Sequence, residues 1–169
     1  DLLGVHGDIA LADELRQEAF DAAKSNAAFA KLLLESSGQI EPGRNWFGGF
    51  RTAQGRIDLK RSGLFGLVSL ARTLAIRHHV TERSTPARLS AVKHLLQRSE
   101  GDLDALDEAQ STFLDLILRQ QIDDLNTGRP PSNAVEIKTL SRRDRERLRG
   151  ALRSVENLEE LGRELLFKT

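Results

Sequence analysis

Gly63 to His79 reads GLFGLVSLARTLAIRHH. Leu64, Phe65, Leu67, Val68, Leu70, Ala71, Leu74, Ala75 and Ile76 make this segment apolar on nearly every face, the pattern of a central helix enclosed by others. Arg72 and Arg77 interrupt it. A base on an enclosed helix needs a counterpart, so each is either ion-paired with a neighbouring helix or facing a ligand cleft.

Directly upstream, Gly55-Arg56-Ile57-Asp58-Leu59-Lys60-Arg61-Ser62-Gly63-Leu64-Phe65 sets one acid and three bases at the mouth of that helix. Gly43, Gly48, Gly49, Gly55, Gly63 and Gly66 crowd the same region, which bends rather than continuing a helix. Residues 39–62 therefore read as one long irregular loop. Cations at a helix entrance grip phosphate, because the first-turn N–H groups also point outward there. The same charges also suit a solvated loop with ion pairs. Trp46, Phe47 and Phe50 lie in the loop and either pin it to the core or line a base-stacking pocket.

Outward from this centre the chain reads as helices. Asp8 is an N-cap for a segment carrying Leu11, Leu15, Ala19, Ala22 and Ala23, then Phe29, Leu32, Leu33 and Leu34. Ser25-Asn26 kinks or splits it, and Gly38 is its C-cap. Thr85 as N-cap with Pro86 at the first helical position opens another helix, with Leu89, Val92, Leu95 and Leu96 as its stripe. Ser99 and Asp102 have capping-box spacing before a helix to about Asn126. Its core face is Leu103, Leu106, Phe113, Ile117, Leu118, Ile122 and Leu125, and Gly128 ends it. Arg129-Pro130-Pro131-Ser132-Asn133 is a rigid connection. Ser141 with Asp144 caps the last helix, whose stripe is Leu148, Leu152, Val155, Leu158, Leu161 and Leu165. The run Arg142, Arg143, Arg145, Arg147, Arg149 reads as a solvated first two turns. The expected fold is all-α: a bundle of five to six helices with one long Gly-rich loop.

The composition agrees with helices, with four Pro and few aromatics in 169 residues. Twenty-five acidic and 25 basic side chains balance, which argues against a generic nucleic-acid binder. The absence of cysteine excludes disulfides, thiolate zinc sites and thiol catalysis. Ser62 to Ala71, the longest notable uncharged stretch near the middle of the chain, is far too short to span a bilayer, so the expectation is a cytoplasmic protein without membrane partners. The chain begins at Asp1 and holds no Met, which reads as a piece of a longer protein. His78 and His79 are adjacent and point about 100° apart on a helix, and no metal is expected here.

Asp1 to Asp8 (DLLGVHGD), Leu11 to Arg16 (LADELR), the Asp58 to Phe65 run, Ser84 to Leu89 (STPARL), Leu118 to Gln121 (LRQQ), Gly128 to Asn133 (GRPPSN) and Leu140-Ser141 share an order and spacing. Together they resemble the nucleotidyltransferase substrate-binding domain family over nearly the whole chain. The resemblance implies a helical domain that follows a uridylyltransferase-like catalytic domain in bacterial signalling proteins, often with CBS or cyclic-nucleotide-binding modules upstream. Residues 1–7 then look like the tail of a nucleotidyltransferase domain, and 8–169 like the helical substrate-binding domain. Asp1 matches a family acidic position that serves as a third metal carboxylate, or is a frayed terminus without a role. Leu3 stands where the family pattern has Arg, and Gln120 where Arg-His-Gln has its His.

The candidates for ligand contact are Asp58, Lys60, Arg61, Arg72, Arg119, Gln121 and Asn133. Asp58 is read as orienting Lys60, Arg61 or Arg72 by a charge-assisted hydrogen bond, with Leu59 facing the core. Arg119 has a plain alternative, an ion pair with Asp115 or Asp123, each four residues away. The resemblance implies an accessory domain positioning an acceptor, which includes a protein acceptor, against a nucleotide held by the chain's own upstream catalytic domain. Mg²⁺ and a nucleoside triphosphate are then implied for the parent protein, and no cofactor for this chain. The alternative is a helical interaction or homodimerisation module without a substrate role.

Nucleotidyl transfer needs clustered carboxylates for divalent metal and backbone N–H groups for the triphosphate. Asp102 and Asp104 spell Asp-x-Asp, but they open a helix, where their side chains diverge. The chain alone is therefore expected to transfer no nucleotide. Metal-dependent turnover of a labelled nucleoside triphosphate by the pure chain would show the opposite.

Overall fold

The computed structural model describes residues 5–37, 43–44, 49–96 and 100–167. Among them are seven α-helices and one two-stranded antiparallel ribbon, so the protein is mostly helical. The helices are α1 (Ile9–Ser25), α2 (Ala27–Ser37), α3 (Phe65–Arg77), α4 (Thr85–Leu96), α5 (Glu100–Asn126), α6 (Arg142–Ser154) and α7 (Leu158–Phe167). The strands are β1 (Arg56–Asp58) and β2 (Ala134–Glu136). The count exceeds five or six because the last expected helix breaks at Val155–Asn157, as well as the first at Asn26.

Helix α3 is the central element, with Leu67, Leu70, Ala71, Leu74 and Ala75 at most 1% exposed. Helices α1, α2, α4 and α7 pack around it. Helices α5 and α6 pair to close the bundle. Gly162 of α7 meets Leu34 and Leu70 so closely that an added Cβ would lie 2.6 Å from a Leu34 methyl. Lys93 of α4 bonds both oxygens of Asp104 on α5 at 2.8 and 2.7 Å, and that hydrogen bond holds its ammonium above its ordinary pKa.

The caps follow the sequence with one shift. The Asp8 carboxylate accepts from the Ala10 N–H, and Ser141 Oγ accepts from the Asp144 N–H at 3.0 Å. Before α4 the Ser84 hydroxyl accepts from the Ala87 N–H, so the cap is Ser84 and Thr85 is the first helical residue. Ser99 and Gly38, expected as caps, lie outside the described residues, as do Trp46 and Phe47.

The region expected as an irregular loop over 39–62 contains two ordered elements. Strand β1 pairs with β2 in the register Arg56–Glu136, Ile57–Val135, Asp58–Ala134. A π-helical turn over Lys60–Leu64 then feeds straight into α3. Ile57, Leu59 and Val135 are buried, so this short ribbon is held by its inward side chains. Phe50 packs against the core under the Arg149 guanidinium, 4.9 Å from its ring centroid. Arg44 bonds both Glu156 carboxylate oxygens.

Several apolar positions expected in the core are exposed: Leu11, Leu15, Leu32, Leu95, Leu118, Ile122 and Leu125. On α5 the reason is a change of inward face. Phe113, Leu116 and Ile117 point into the core, and the same face continues through Gln120 and Asp124 toward the ribbon. Leu118, Ile122 and Leu125 then fall around the helix from it. The α6 arginines are not simply solvated. Arg145 Nε donates to the Leu140 carbonyl, and Arg147 reaches Asp115 on α5.

Gly63 is buried, and a Cβ there would meet Phe113 Cε2 at 2.5 Å. Phe113 is fully enclosed and cannot retreat. Gly63→Ala is therefore expected to destabilise the protein by about 1–3 kcal/mol, read as a lower urea midpoint with unchanged slope.

Candidate functional site

The site is built at the C-terminal half of α5, where the ribbon, the π-helical turn and the 127–133 connection converge. Helix α5 ends at Asn126, and Gly128 at φ +72° reverses the chain, its N–H donating to the Leu125 carbonyl at 3.1 Å. The polar connection then returns as β2, beside β1.

At the centre is Asp124, 1% exposed. Its Oδ1 accepts from Gln120 Nε2 at 3.0 Å, and its Oδ2 accepts from the Ser132 N–H at 3.1 Å. Arg129 and Arg56 bring guanidinium nitrogens to 3.4 and 3.9 Å from Oδ1. The Asp124 carbonyl accepts from the Arg129 N–H at 2.7 Å. Gln120, also buried, uses its other end to accept from the Glu136 N–H at 2.9 Å. Arg56 continues across the ribbon to Glu136 at 3.2 Å. Asp123 meets Arg129 at 3.0 Å on the exposed side.

Around this buried group lie five of the predicted contact residues. The Leu59 N–H donates to the Asn133 carbonyl at 3.1 Å, extending the ribbon by one bond toward the π-helical turn. Gln121 Nε2 donates to Asn133 Oδ1 at 3.2 Å. Asp58 Oδ1 accepts from the Arg61 backbone N–H at 3.1 Å. Asp58 thus caps the turn that presents Lys60 and Arg61, whose side chains are exposed. The bond expected from Asp58 to a cationic side chain is replaced here by one to the backbone, because the carboxylate stands three residues before the N–H that needs an acceptor. Leu59, 0% exposed, anchors the segment as expected.

Two predicted residues stand elsewhere. Arg119 pairs with Asp115 at 2.8 Å and approaches Asp144 at 3.6 Å, in a four-charge cluster with Arg147 on the α5–α6 seam. Its pairing is the plain alternative, with Asp115 rather than Asp123. Arg72 lies on α3 about 16 Å along the helical path from Arg61 and lines a cavity with Phe20, Phe29 and Arg88. Arg77 donates to the Lys24 carbonyl at the end of α1, a counterpart that is a backbone group. Asp1 lies outside the described residues.

The sequence reading missed Gln120, Asp124, Arg56, Ser132 and Glu136. The available signal was two polar residues, Gln120 and Asp124, continuing the inward face begun by Phe113, Leu116 and Ile117.

Chemically the surface offers cations beside a paired Gln–Asn amide group, a set that binds anionic or amide-bearing partners through donors and acceptors together. Among the described residues no group of three or more acidic or histidine side chains is placed to hold a metal ion. The adjacent histidines diverge, His78 Nε2 to the Leu165 carbonyl and His79 Nε2 to Asp21.

Residues 27–164 match the family described as Putative nucleotidyltransferase substrate binding domain. No curated protein and no solved structure matches the chain.

Removing the buried carboxylate strands the Ser132 N–H and the Gln120 amide N–H, and takes one of two carboxylates each from Arg56 and Arg129, which keep Glu136 and Asp123. Asp124→Ala is expected to cost about 3–5 kcal/mol, against at most about 1 kcal/mol for Asp123→Ala on the exposed side. Urea unfolding of the two variants side by side measures the difference.

Proposed function

We propose, since the chain belongs to the nucleotidyltransferase substrate-binding domain family, that it holds an acceptor for nucleotidyl transfer on the surface of the π-helical turn and the end of α5. The observation that carries this reading is the convergence of sequence-distant groups. One backbone bond and one amide pair bring Asp58, Lys60 and Arg61 together with Gln121 and Asn133.

In this reading Lys60 and Arg61 attract an acidic acceptor group, a side chain of a protein acceptor included, and the Gln121–Asn133 pair fixes its orientation. Asp58 positions the turn and does not touch the acceptor. Arg119 stiffens the α5–α6 seam instead of contacting ligand. The nucleotide, its Mg²⁺ and the transfer chemistry belong to a catalytic domain of the parent protein, of which residues 1–7 form the tail. The parent protein is a cytoplasmic bacterial signalling nucleotidyltransferase, its regulation entering through CBS or cyclic-nucleotide-binding modules. No helix among the described residues is long and apolar enough to cross a membrane, which accords with that setting.

A second reading, a helical interaction or dimerisation module, draws on the exposed stripe Leu114, Leu118, Ile122 and Leu125 along α5. The two readings differ in what the turn's charges do.

Replacing Lys60 and Arg61 together by Ala in the intact parent protein separates them. The acceptor-binding reading expects transfer to fall about tenfold or more, with the melting temperature within about 2 °C of the parent. Full activity in the double mutant reduces the turn to a structural connector. A much lower melting temperature makes the charges internal staples and favours the interaction module.

A further inference from the structure

Helix α6 carries six arginines and two carboxylates, Asp144 and Glu146. The first turn of a helix favours acids, because its N–H groups carry partial positive charge, yet Arg142, Arg143 and Arg145 stand there. Three cations placed against the helix dipole are not there to stabilise the helix.

The two carboxylates are both taken. Asp144 meets Arg119 and Arg147, with Asp115 completing that cluster. Glu146 meets Arg142 at 3.1 Å. Arg145 is held by neutral groups instead: its Nε donates to the Leu140 carbonyl at 3.0 Å, and a terminal nitrogen reaches the Lys138 carbonyl. Arg149 lies over the Phe50 ring, 4.9 Å from its centroid. Among the described residues Lys138, Arg145 and Arg149 meet no carboxylate, so three positive charges remain on this part of the surface.

The three lie together. At 100° per residue Arg142, Arg145 and Arg149 fall within about 60° of one another around α6. The carbonyl that Arg145 holds sets Lys138 beside the start of this stripe. Arg143 falls about 100° around the helix from Arg142. Arg153, at the far end of α6, faces a groove that Asp107 and Glu108 also line. From Arg145 to Arg149 is one turn, about 6 Å. Guanidiniums oriented by carbonyls and a ring keep their charge for a ligand and lose little freedom in meeting it.

We propose that this face of α6 docks an acidic segment of a partner protein, its carboxylates received by Arg145 and Arg149 and attracted by Lys138. Side chains two residues apart in an extended segment lie about 7 Å apart on one face, close to the Arg145–Arg149 step. Nucleic acid fits this face less well. Phe50 is covered by Arg149 rather than open for base stacking, and the chain's 25 acids match its 25 bases. A membrane surface also fits less well, since none of the exposed large apolar side chains among the described residues belongs to α6. The stripe stands on another element from Lys60 and Arg61, and its docking does not require that those two hold an acceptor.

Fluorescence anisotropy of a labelled hexaglutamate peptide, titrated with the full chain at about 50 mM salt, tests this. The expected result is saturation at one peptide per chain, at least about tenfold tighter than hexaglutamine and about threefold tighter than hexathymidylate. Glu146→Gln removes the stripe's own carboxylate and frees Arg142, so it should tighten binding about twofold or more. Arg149→Gln should weaken binding about fivefold or more, and Arg149→Lys should recover only part of the loss, because the planar fork is gone. Arg163→Gln, the same charge loss on α7, and the Lys60→Ala, Arg61→Ala pair should each bind within about twofold of the parent. If Arg149→Gln lowers the melting temperature by uncovering Phe50, then Glu146→Gln and Lys138→Gln decide, the first tightening and the second weakening the complex. The proposal is overturned if hexaglutamate does not saturate the chain by about 1 mM. It is equally overturned if hexaglutamine, hexathymidylate or phosphatidylglycerol vesicles bind as tightly, or if Glu146→Gln leaves the affinity unchanged. A loss in Arg163→Gln or in the Lys60, Arg61 pair as large as that in Arg149→Gln overturns it too.

Discussion

A buried carboxylate holds the ribbon end of this protein together. Burying Asp124 costs several kcal/mol unless its oxygens are met, and here a side-chain amide, a backbone N–H and two guanidiniums meet them. The groups that meet it come from three places: Gln120 from α5 itself, Ser132 and Arg129 from the connection, and Arg56 from β1. A single side chain therefore sets the ribbon, the connection and the helix in one register. A two-stranded ribbon of three-residue strands is marginal by itself. This one persists because Ile57, Leu59 and Val135 enter the core while Gln120 takes the Glu136 N–H.

The geometry of the exposed turn follows from that register. The Leu59–Asn133 bond fixes where β1 ends, and the Asp58 cap fixes how the π-helical turn begins. Gly63 lets the turn sit directly on Phe113 of α5. A π-helical turn in place of an α-helical one is uncommon and is found mostly near functional sites. Its effect here is mechanical: Leu59, Ser62 and Gly63 are buried, while Lys60 and Arg61 stand outward on a base that cannot shift.

Much of the fold was legible in the sequence because its signals are local. The all-round apolar character of α3, the Asp8 and Ser141 caps and the reversal at Gly128 each depend on a few consecutive residues. The ribbon was not legible, because Arg56–Asp58 is too short to show a period and its partner lies about 80 residues away. The break between α6 and α7 was hidden by an apolar stripe that runs through it unbroken, with Val155 and Leu158 both buried. On α5 the stripe itself misled: Leu118, Ile122 and Leu125 look like core by spacing, yet Gln120 and Asp124 own the inward face. The candidate site was half legible. Asp58, Lys60, Arg61, Gln121 and Asn133 share a region, but the buried residues that assemble it were not identified beforehand.

The equal numbers of acids and bases conceal how differently the arginines are used. Arg119 and Arg147 are spent on Asp115 and Asp144 along a helix seam, where partly exposed pairs add little stability but fix a crossing. Arg77 caps the carbonyl end of α1, and Arg145 takes the Leu140 carbonyl ahead of α6. Arg56 and Arg129 serve the buried carboxylate. Arg16, Arg72, Arg83 and Arg88 line one cavity, where Arg16 keeps Asp13 and Arg88 the Glu82 carbonyl. A charge total averages over these environments, so it speaks to generic attraction for a polyanion and says nothing about a local concentration of cations.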